Sequence, residues 1–537
     1  MMHRSIHWFR KGLRLHDNPA LLASLRDCAE LWPVFLLDPW FPKNARVSVN
    51  RWRFLLRALQ DLDGNLRKLG SRLFVVRGSP AEVFPRLFEQ WKVTRLTFEV
   101  DTEPYARQRD AQVGKIAEEH GVEVIQKVSH TLYDTERILV ENNGKAPLTY
   151  NRLQALLRTI GAPKRPVPPP TMEDMKGVCT PCLERHDEEF GVPTLEELGQ
   201  DPRTAGPELY PGGETEALSR LDRHMQRTAW VCGFQKPNTE PNALSPSTTV
   251  LSPYLKFGCL SARTFWWRLT DVYRGRKHSE PPVSLHGQLL WREFFYTAGL
   301  GIPNFDRMEG NPVCVQIDWD ENAEHLAAWR EQCQRCSRRA KKVLSLHGQY
   351  SRAVGSLWLV TSSAAALFCP TSVRVCVSLR VCVVFEELLL DADWALNAGN
   401  WQWLSASAFF HQYYRVYSPI AFGKKTDKNG DYIRKYLPVL KKFPSAYIYE
   451  PWKAPRSVQE QAGCIVGKDY PRPIVDHDVV SKKNIQRMKL AYGRRAQLSG
   501  EQEGTGKGMK RKGQSVADLL TKKQKRDSVE EKRTLSG

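Results

Sequence analysis

From residue 5 to about residue 128, short apolar runs alternate with stretches whose apolar residues recur every three or four positions. The runs SIHWFR, LWPVFLLD, RLFVVRG, RLTFEVD and VEVIQKV read as strands, and the stretches between them as crossover helices. One helix opens at HDNPALLASL, where Asp17 or Asn18 can cap and Pro19 takes the first helical position. Another runs from about Asn50 to Leu69 and stops at Gly70. Five such alternations predict a doubly wound α/β domain with any ligand at the carboxyl ends of its strands. From about Gly161 to Glu214 the periodicity gives way to proline, glycine and acids, the pattern of a connector. Beyond Glu216, EALSRLDRHMQRTAWV, SARTFWWRLTDVYRG and SLHGQLLWREFFYTAGL return to helical spacing. The division is therefore an α/β domain over 1–135, a connector over 136–215, an all-α domain over 216–492 and a basic tail over 493–537.

Length supports two domains with a tail to spare: 537 residues exceed what one core usually holds. The net charge of +20 suggests a polyanionic partner such as DNA. Its distribution weakens that argument, because twelve basic residues against six acids in 493–537, and nine against one in 330–383, supply +14 of it. The body of the protein is only mildly basic. Twelve scattered cysteines and an N-terminus without an apolar core point to a reducing compartment. Two CxxC pairs, Cys179/Cys182 with His186 nearby and Cys333/Cys336, could each be half of a zinc site, but they stand too far apart in sequence for a metal to be expected. The uncharged stretch Ala353 to Cys369 is rich in serine and threonine and ends at Pro370, which argues against a membrane span. Lys510 to Lys512 and Lys522 to Arg526 resemble a bipartite nuclear import signal, the plain alternative being a solvated basic tail.

Four motifs in order, SIHWFRKGLRLHDNPAL, STTVLSPYLKFGCLSARTFWWRL, SLHGQLLWREFFY and DADWALNAGNWQWLSASAFFHQYY, together resemble the photolyase and animal cryptochrome family up to about Tyr492. Within it, NAGNWQWLSASAFFHQYYRVYSP looks more like the vertebrate-type (6-4) photolyases than the light-independent clock cryptochromes. The resemblance implies an α/β antenna domain, a helical domain that buries FAD, and an antenna pigment, either deazaflavin or folate. The expected protein is a monomer that meets damaged DNA and no membrane, with the bipartite-like basic tail directing it to the nucleus and the cytoplasm as a further location. The activity implied is blue-light-driven repair of the pyrimidine (6-4) pyrimidone lesion by an electron from photoexcited reduced flavin.

Residue by residue, Thr248, Thr249, Val250, Leu251 and Ser252 match the family's phosphate-binding run, and a helix start there would face unpaired N–H groups toward a diphosphate. Lys236 falls at a further flavin contact. Gln288, Trp291 and Arg292 lie within one helical turn, and the resemblance sets the first two at the flavin and lesion pocket and pairs Arg292 with Asp393. Asp391 and Asp393 resemble the acids on the ribose and adenine side, and Asn397 the residue beside the isoalloxazine N5, where an amide helps set the stable redox state. Trp401 and Trp319 match the two ends of an electron-carrying tryptophan series, while Trp403 and Tyr417 match lesion-pocket positions. Each tryptophan can also be read as packing alone.

The resemblance stops over 330–383. That segment lacks the family's Thr-Gly-Phe-Pro turn, His-His pair and intermediate tryptophans, and contains one histidine, His347, in a foreign context. The histidine that serves the family as general acid toward the lesion has no counterpart here, and the strand-prone SVRVCVSLRVCVV conflicts with the helices around it. The segment reads as spliced or misassigned coding sequence inside a repair enzyme. The competing function is a cryptochrome-like photoreceptor or clock protein that binds FAD and signalling partners without repair; a flavin-free decoy is a third.

Overall fold

The computed structural model describes residues 2–44, 47–236, 248–319, 386–387, 389–409, 416, 418–473 and 476–498. The foreign segment 330–383, Tyr417, the second CxxC pair and the tail beyond Leu498 lie outside the described residues, while residues 493–498 of the expected tail continue the helix His477–Leu498.

The five apolar runs form five parallel strands: β1 (His3–Phe9), β2 (Cys28–Leu37), β3 (Phe74–Arg77), β4 (Arg95–Glu99) and β5 (Glu123–Lys127). Their order is β3-β2-β1-β4-β5. Central β1 and β4 are covered on both faces, which is why they are written as continuous apolar runs, whereas edge strand β5 is largely exposed. On one face Ile6, Trp8 and Phe98 pack with Val83, Phe84 and Val113 of the helices Pro80–Gln90 and Pro104–Glu119. On the other, Phe9, Phe35 and Val75 pack with Leu21, Phe54 and Leu62, and this core runs on without a break into the helical domain.

Asn18 is the cap of the first helix, accepting from the Leu21 N–H at 3.0 Å, and Pro19 opens it. Asp17 is spent on a clamp between the domains. Its carboxylate accepts from Arg263 Nη2 at 2.7 Å, from Arg263 Nε at 2.9 Å and from the Ser261 hydroxyl. Nearby, Glu214 accepts from the backbone N–H groups of Leu15 and His16, both at 2.8 Å, and from His16 Nδ1. Buried Arg14 donates to the carbonyls of His16, Asp17, Ser129 and Gly258. Gly258 meets the first domain at such short range that a Cβ on it would stand 1.4 Å from the Lys11 carbonyl oxygen.

The stretch 136–215 carries most of the helix Thr135–Glu141, the helix Tyr150–Ile160 with Leu153 and Leu157 buried, and a long irregular run packed over the sheet. Within that run Cys179 bridges Glu30 beside β2. Beyond it lie helices that include Glu214–Gln226, Thr228–Gly233, Ser252–Lys256, Ala262–Tyr273, Leu285–Gly301, Trp394–Leu404 and His477–Leu498. The single helical stretch expected over 216–231 breaks at Arg227, whose ψ of 57° leaves the helical region. Ser261 and Ser284 cap the two helices that follow. Among the described residues no helix is long and apolar enough to cross a membrane, and no group of three ligating side chains is placed to hold a metal.

Candidate flavin site

The run 248–252 does not open a long helix. Thr248 to Leu251 are buried loop, and only the five-residue turn Ser252–Lys256 is helical. Val250 holds φ at 52°, a left-handed conformation that costs a β-branched residue about 1–3 kcal/mol and persists only where the surroundings impose it. Ser252 lies against Asp391 and favours its ionised form, yet neither the Ser252 hydroxyl nor Asp391 Oδ2 makes a hydrogen bond of good geometry among the described residues. Asp393 Oδ1 is buried without a partner as well. Orphaned polar atoms on two chain segments that meet are what a polar ligand would satisfy, so the residues present fit a bound dinucleotide.

The wall of the site is made by two helices that approach closely through glycines. A Cβ at Gly399 would stand 2.1 Å from Phe295 Cδ1, and one at Gly299 would stand 2.9 Å from Trp394 Cζ3. This packing brings Asp393, at the cap of one helix, to Tyr296 on the other, whose hydroxyl donates to Asp393 Oδ2. The expected Arg292–Asp393 pair does not form. Arg292 instead donates to His130, at 2.9 Å to its carbonyl and 2.7 Å to its Nε2, and lies over the ring of Tyr296, one turn along the same helix, whose hydroxyl takes Asp393. Trp291 stacks on Tyr150 with centroids 4.4 Å apart, and Gln288 donates to the Pro282 carbonyl at 3.4 Å. The Lys236 backbone N–H bonds to the Val283 carbonyl at 2.9 Å. Asn397 is fully buried, and its amide donates to Glu386 Oε1 at 3.3 Å.

The tryptophans divide by exposure. Trp401 is buried, and Trp403, two residues on, is 37% exposed. Trp319, expected at the surface end of its series, is only 8% exposed and packs with Ala406 and with Met488 of the C-terminal helix. These positions bring Trp401 and Asn397 onto the helix that starts at Asp393 and set Trp319 in a separate apolar cluster.

Charges converge on this site from the α/β domain, and here sequence reasoning missed the players. Strand order reverses between β1 and β4, so the crevice at their carboxyl ends is open to a ligand. Lys11 follows β1 and pairs with Asp101, at 3.1 Å, and Glu103, both just past β4. Burial works against the Lys11 ammonium, but Asp101, Glu103 and Asp393 together raise its pKa. Burial also opposes ionisation of Asp101, whose pKa is nevertheless held down to about 2 by Lys11, Arg10 and Arg109. Lys256 lies over the Phe257 ring, and burial followed by repulsion from Arg51 and Lys11 lowers it to about 7. Asp391, desolvated and 4% exposed, is raised to about 6. The rule that ligands sit at strand ends would have found Lys11, Asp101 and Glu103; nothing local marks Lys256, Arg51 or Glu386.

Comparison with known proteins decides the family. Residues 5–171 match the DNA photolyase family model, and residues 379–490 match the FAD binding domain of DNA photolyase. The chain is 52% identical over 490 residues to Cryptochrome-1 of Sylvia borin, covering 91% of this chain and 78% of that one. The chain belongs to the photolyase/cryptochrome family. It is also 52% identical over 491 residues to Cryptochrome-2 of Gallus gallus, covering 91% of this chain and 83% of its relative. Among solved structures, a bacterial class III photolyase from Agrobacterium tumefaciens matches with a TM-score of 0.72 at 25% identity, over 92% of this chain and 98% of that one. A Synechocystis cryptochrome shares the fold, with a TM-score of 0.74 at 22% identity over 90% and 98% of the two chains.

Membership makes this photolyase/cryptochrome protein an FAD binder, in accord with the orphaned atoms at Asp391 and Asp393. Bound FAD would supply one-electron chemistry and light absorption. The loop 248–252 and the two acids would bound the polar end of the group, Asn397 would present an amide to it, and the apolar contacts around Phe294 and Phe295 would keep water out.

Proposed function

We propose that this protein is a cryptochrome-like flavoprotein that couples the state of a buried FAD to partner proteins and does not repair DNA. The observation that carries the reading is the 52% identity to cryptochromes along 91% of the chain. The lack of the family's histidines over 330–383 points the same way, since protonating the lesion needs a positioned acid. Clock or signalling proteins are the partners this reading requires, and the paired basic clusters of the tail fit nuclear import of a monomer. An antenna pigment, deazaflavin or folate, would suit the surface beyond β2 and β4, where Trp40 and Tyr105 stack with centroids 3.7 Å apart.

Blue-light repair of (6-4) lesions is the second reading, favoured by the run 397–417 and by the exposure of Trp403 beside buried Trp401. The two separate in one assay, in which the full chain with reduced FAD is illuminated with an oligonucleotide carrying a (6-4) photoproduct. No repair above the dark control, with flavin that responds to light, is expected; light-dependent restoration of the bases would transfer the protein to the repair class.

A further inference from the structure

Lys256 ends the turn Ser252–Lys256 and is half-buried where the helical domain meets the charges after β1 and β4. Its Nζ stands over the Phe257 ring, 4.1 Å from the centroid, and makes no hydrogen bond or ion pair among the described residues. The carboxylates that would neutralise it are engaged elsewhere: Asp101 and Glu103 pair with Lys11, and Asp393 accepts from the Tyr296 hydroxyl. Two cations face the amine more strongly than any acid, Arg51 from the first turn of the helix Val49–Arg67 and Lys11 after β1; Glu103 and Asp393 come behind them. Desolvation first and those two cations next bring Lys256 down to about 7, so much of it is free amine at neutral pH. Lys11, in the same crevice, is raised by Asp101 and Glu103 despite its own burial.

We infer that Lys256 is a carbon dioxide site, whose amine takes CO2 as a carbamate held between Lys11 and Arg51. A lysine left unprotonated beside other cations is a nucleophile. Its Nζ lone pair attacks the carbon of CO2 and an N–C bond forms. The electrons of one C–O π bond move to oxygen and one N–H proton leaves to water, so a neutral amine becomes an anion with no change in oxidation state. The charges select this electrophile over others. Acyl transfer would leave a neutral amide that makes no use of the two cations, whereas a carbamate turns their repulsion of Lys256 into attraction. CO2 is also uncharged, and so enters a crevice that penalises ions. Lys256 belongs to the helical domain and Lys11 and Arg51 to the α/β domain, so the adduct draws together segments that repel one another without it. The inference goes beyond the flavin reading and needs no bound FAD.

The test reads single residues. The full chain is equilibrated near neutral pH with bicarbonate as the source of isotope-labelled CO2, any carbamate is fixed as its ethyl ester with triethyloxonium, and the ester is located by peptide mass spectrometry. Labelled ester is expected at Lys256 and not at Lys11 or at exposed Lys453, and Lys256→Arg should abolish it. Competitive labelling with acetic anhydride across pH checks the amine without CO2. Lys256 should react with a midpoint of about 7, well below that of Lys453. Arg51→Gln should raise this midpoint by about one unit, the effect of removing one near cation, and reduce the carbamate with it. Lys11→Gln should do the same by freeing Glu103 to pair with Lys256. No ester at Lys256 in the wild-type chain, or a Lys256 that is acetylated only at the alkaline pH of Lys453, overturns the proposal, as does an adduct undiminished in both variants.

Discussion

Single residues carry the site's tension. Asp391 is a buried carboxyl whose pKa is raised by desolvation to about 6. The folded state thus holds that proton more tightly than the unfolded chain does. The stability it contributes is complete below the ordinary carboxyl value and is lost as pH rises through about 6. In flavin-free protein, Asp391→Asn should therefore raise the melting temperature at neutral pH, by on the order of 2–3 kcal/mol in stability, and change it little near pH 4. Thermal unfolding at the two pH values checks this; equal shifts at both would contradict it. Gly399 makes the opposite kind of demand. Because a Cβ at Gly399 would stand 2.1 Å from Phe295 Cδ1, Gly399→Ala must push the two helices apart. A loss of about 1–3 kcal/mol is expected from overpacking, visible in urea unfolding, along with weaker flavin retention.

At the scale of elements, much of the fold was legible. The five strands fall where the apolar runs stand, because a strand covered on both faces needs no alternation, and Asn18 with Pro19, and Gly70, mark helix ends by local chemistry alone. The break at Arg227 was not legible, since no glycine or proline announces it. Nor was the path of Arg292: its pattern on the helix said buried and paired, but whether Asp393 or His130 receives it depends on how the helix Leu285–Gly301 meets the loop after β5. The clamp is likewise tertiary, with Asp17, Ser261 and Arg263 separated by most of the first domain and the connector. Removing one partner of a buried ion pair typically costs about 3–5 kcal/mol. Asp17→Ala should lose about that much, seen as a lower denaturant midpoint, and a loss under about 1 kcal/mol would show that Arg263 finds other partners.

For the whole molecule, motifs scattered over the chain reach one place. The loop 248–252, the acids 391 and 393 and the strand-end charges Lys11, Asp101 and Glu103 come from both domains. Motifs pointed to the helical half of the proposed site, and the α/β half went unseen because single charges after strands carry no signature of their own. The family follows from the comparisons, and so does the correction of emphasis from repair enzyme toward cryptochrome. The central claim is that this chain holds one FAD in the site framed by Thr248 to Ser252, Asp391, Asp393 and Asn397. The most direct test is the flavin-to-protein ratio of the purified full chain, taken from its visible absorption after removal of free flavin. The account predicts a ratio near one that falls in Asp393→Ala; a chain that carries no flavin under conditions where its helical content is native would contradict it.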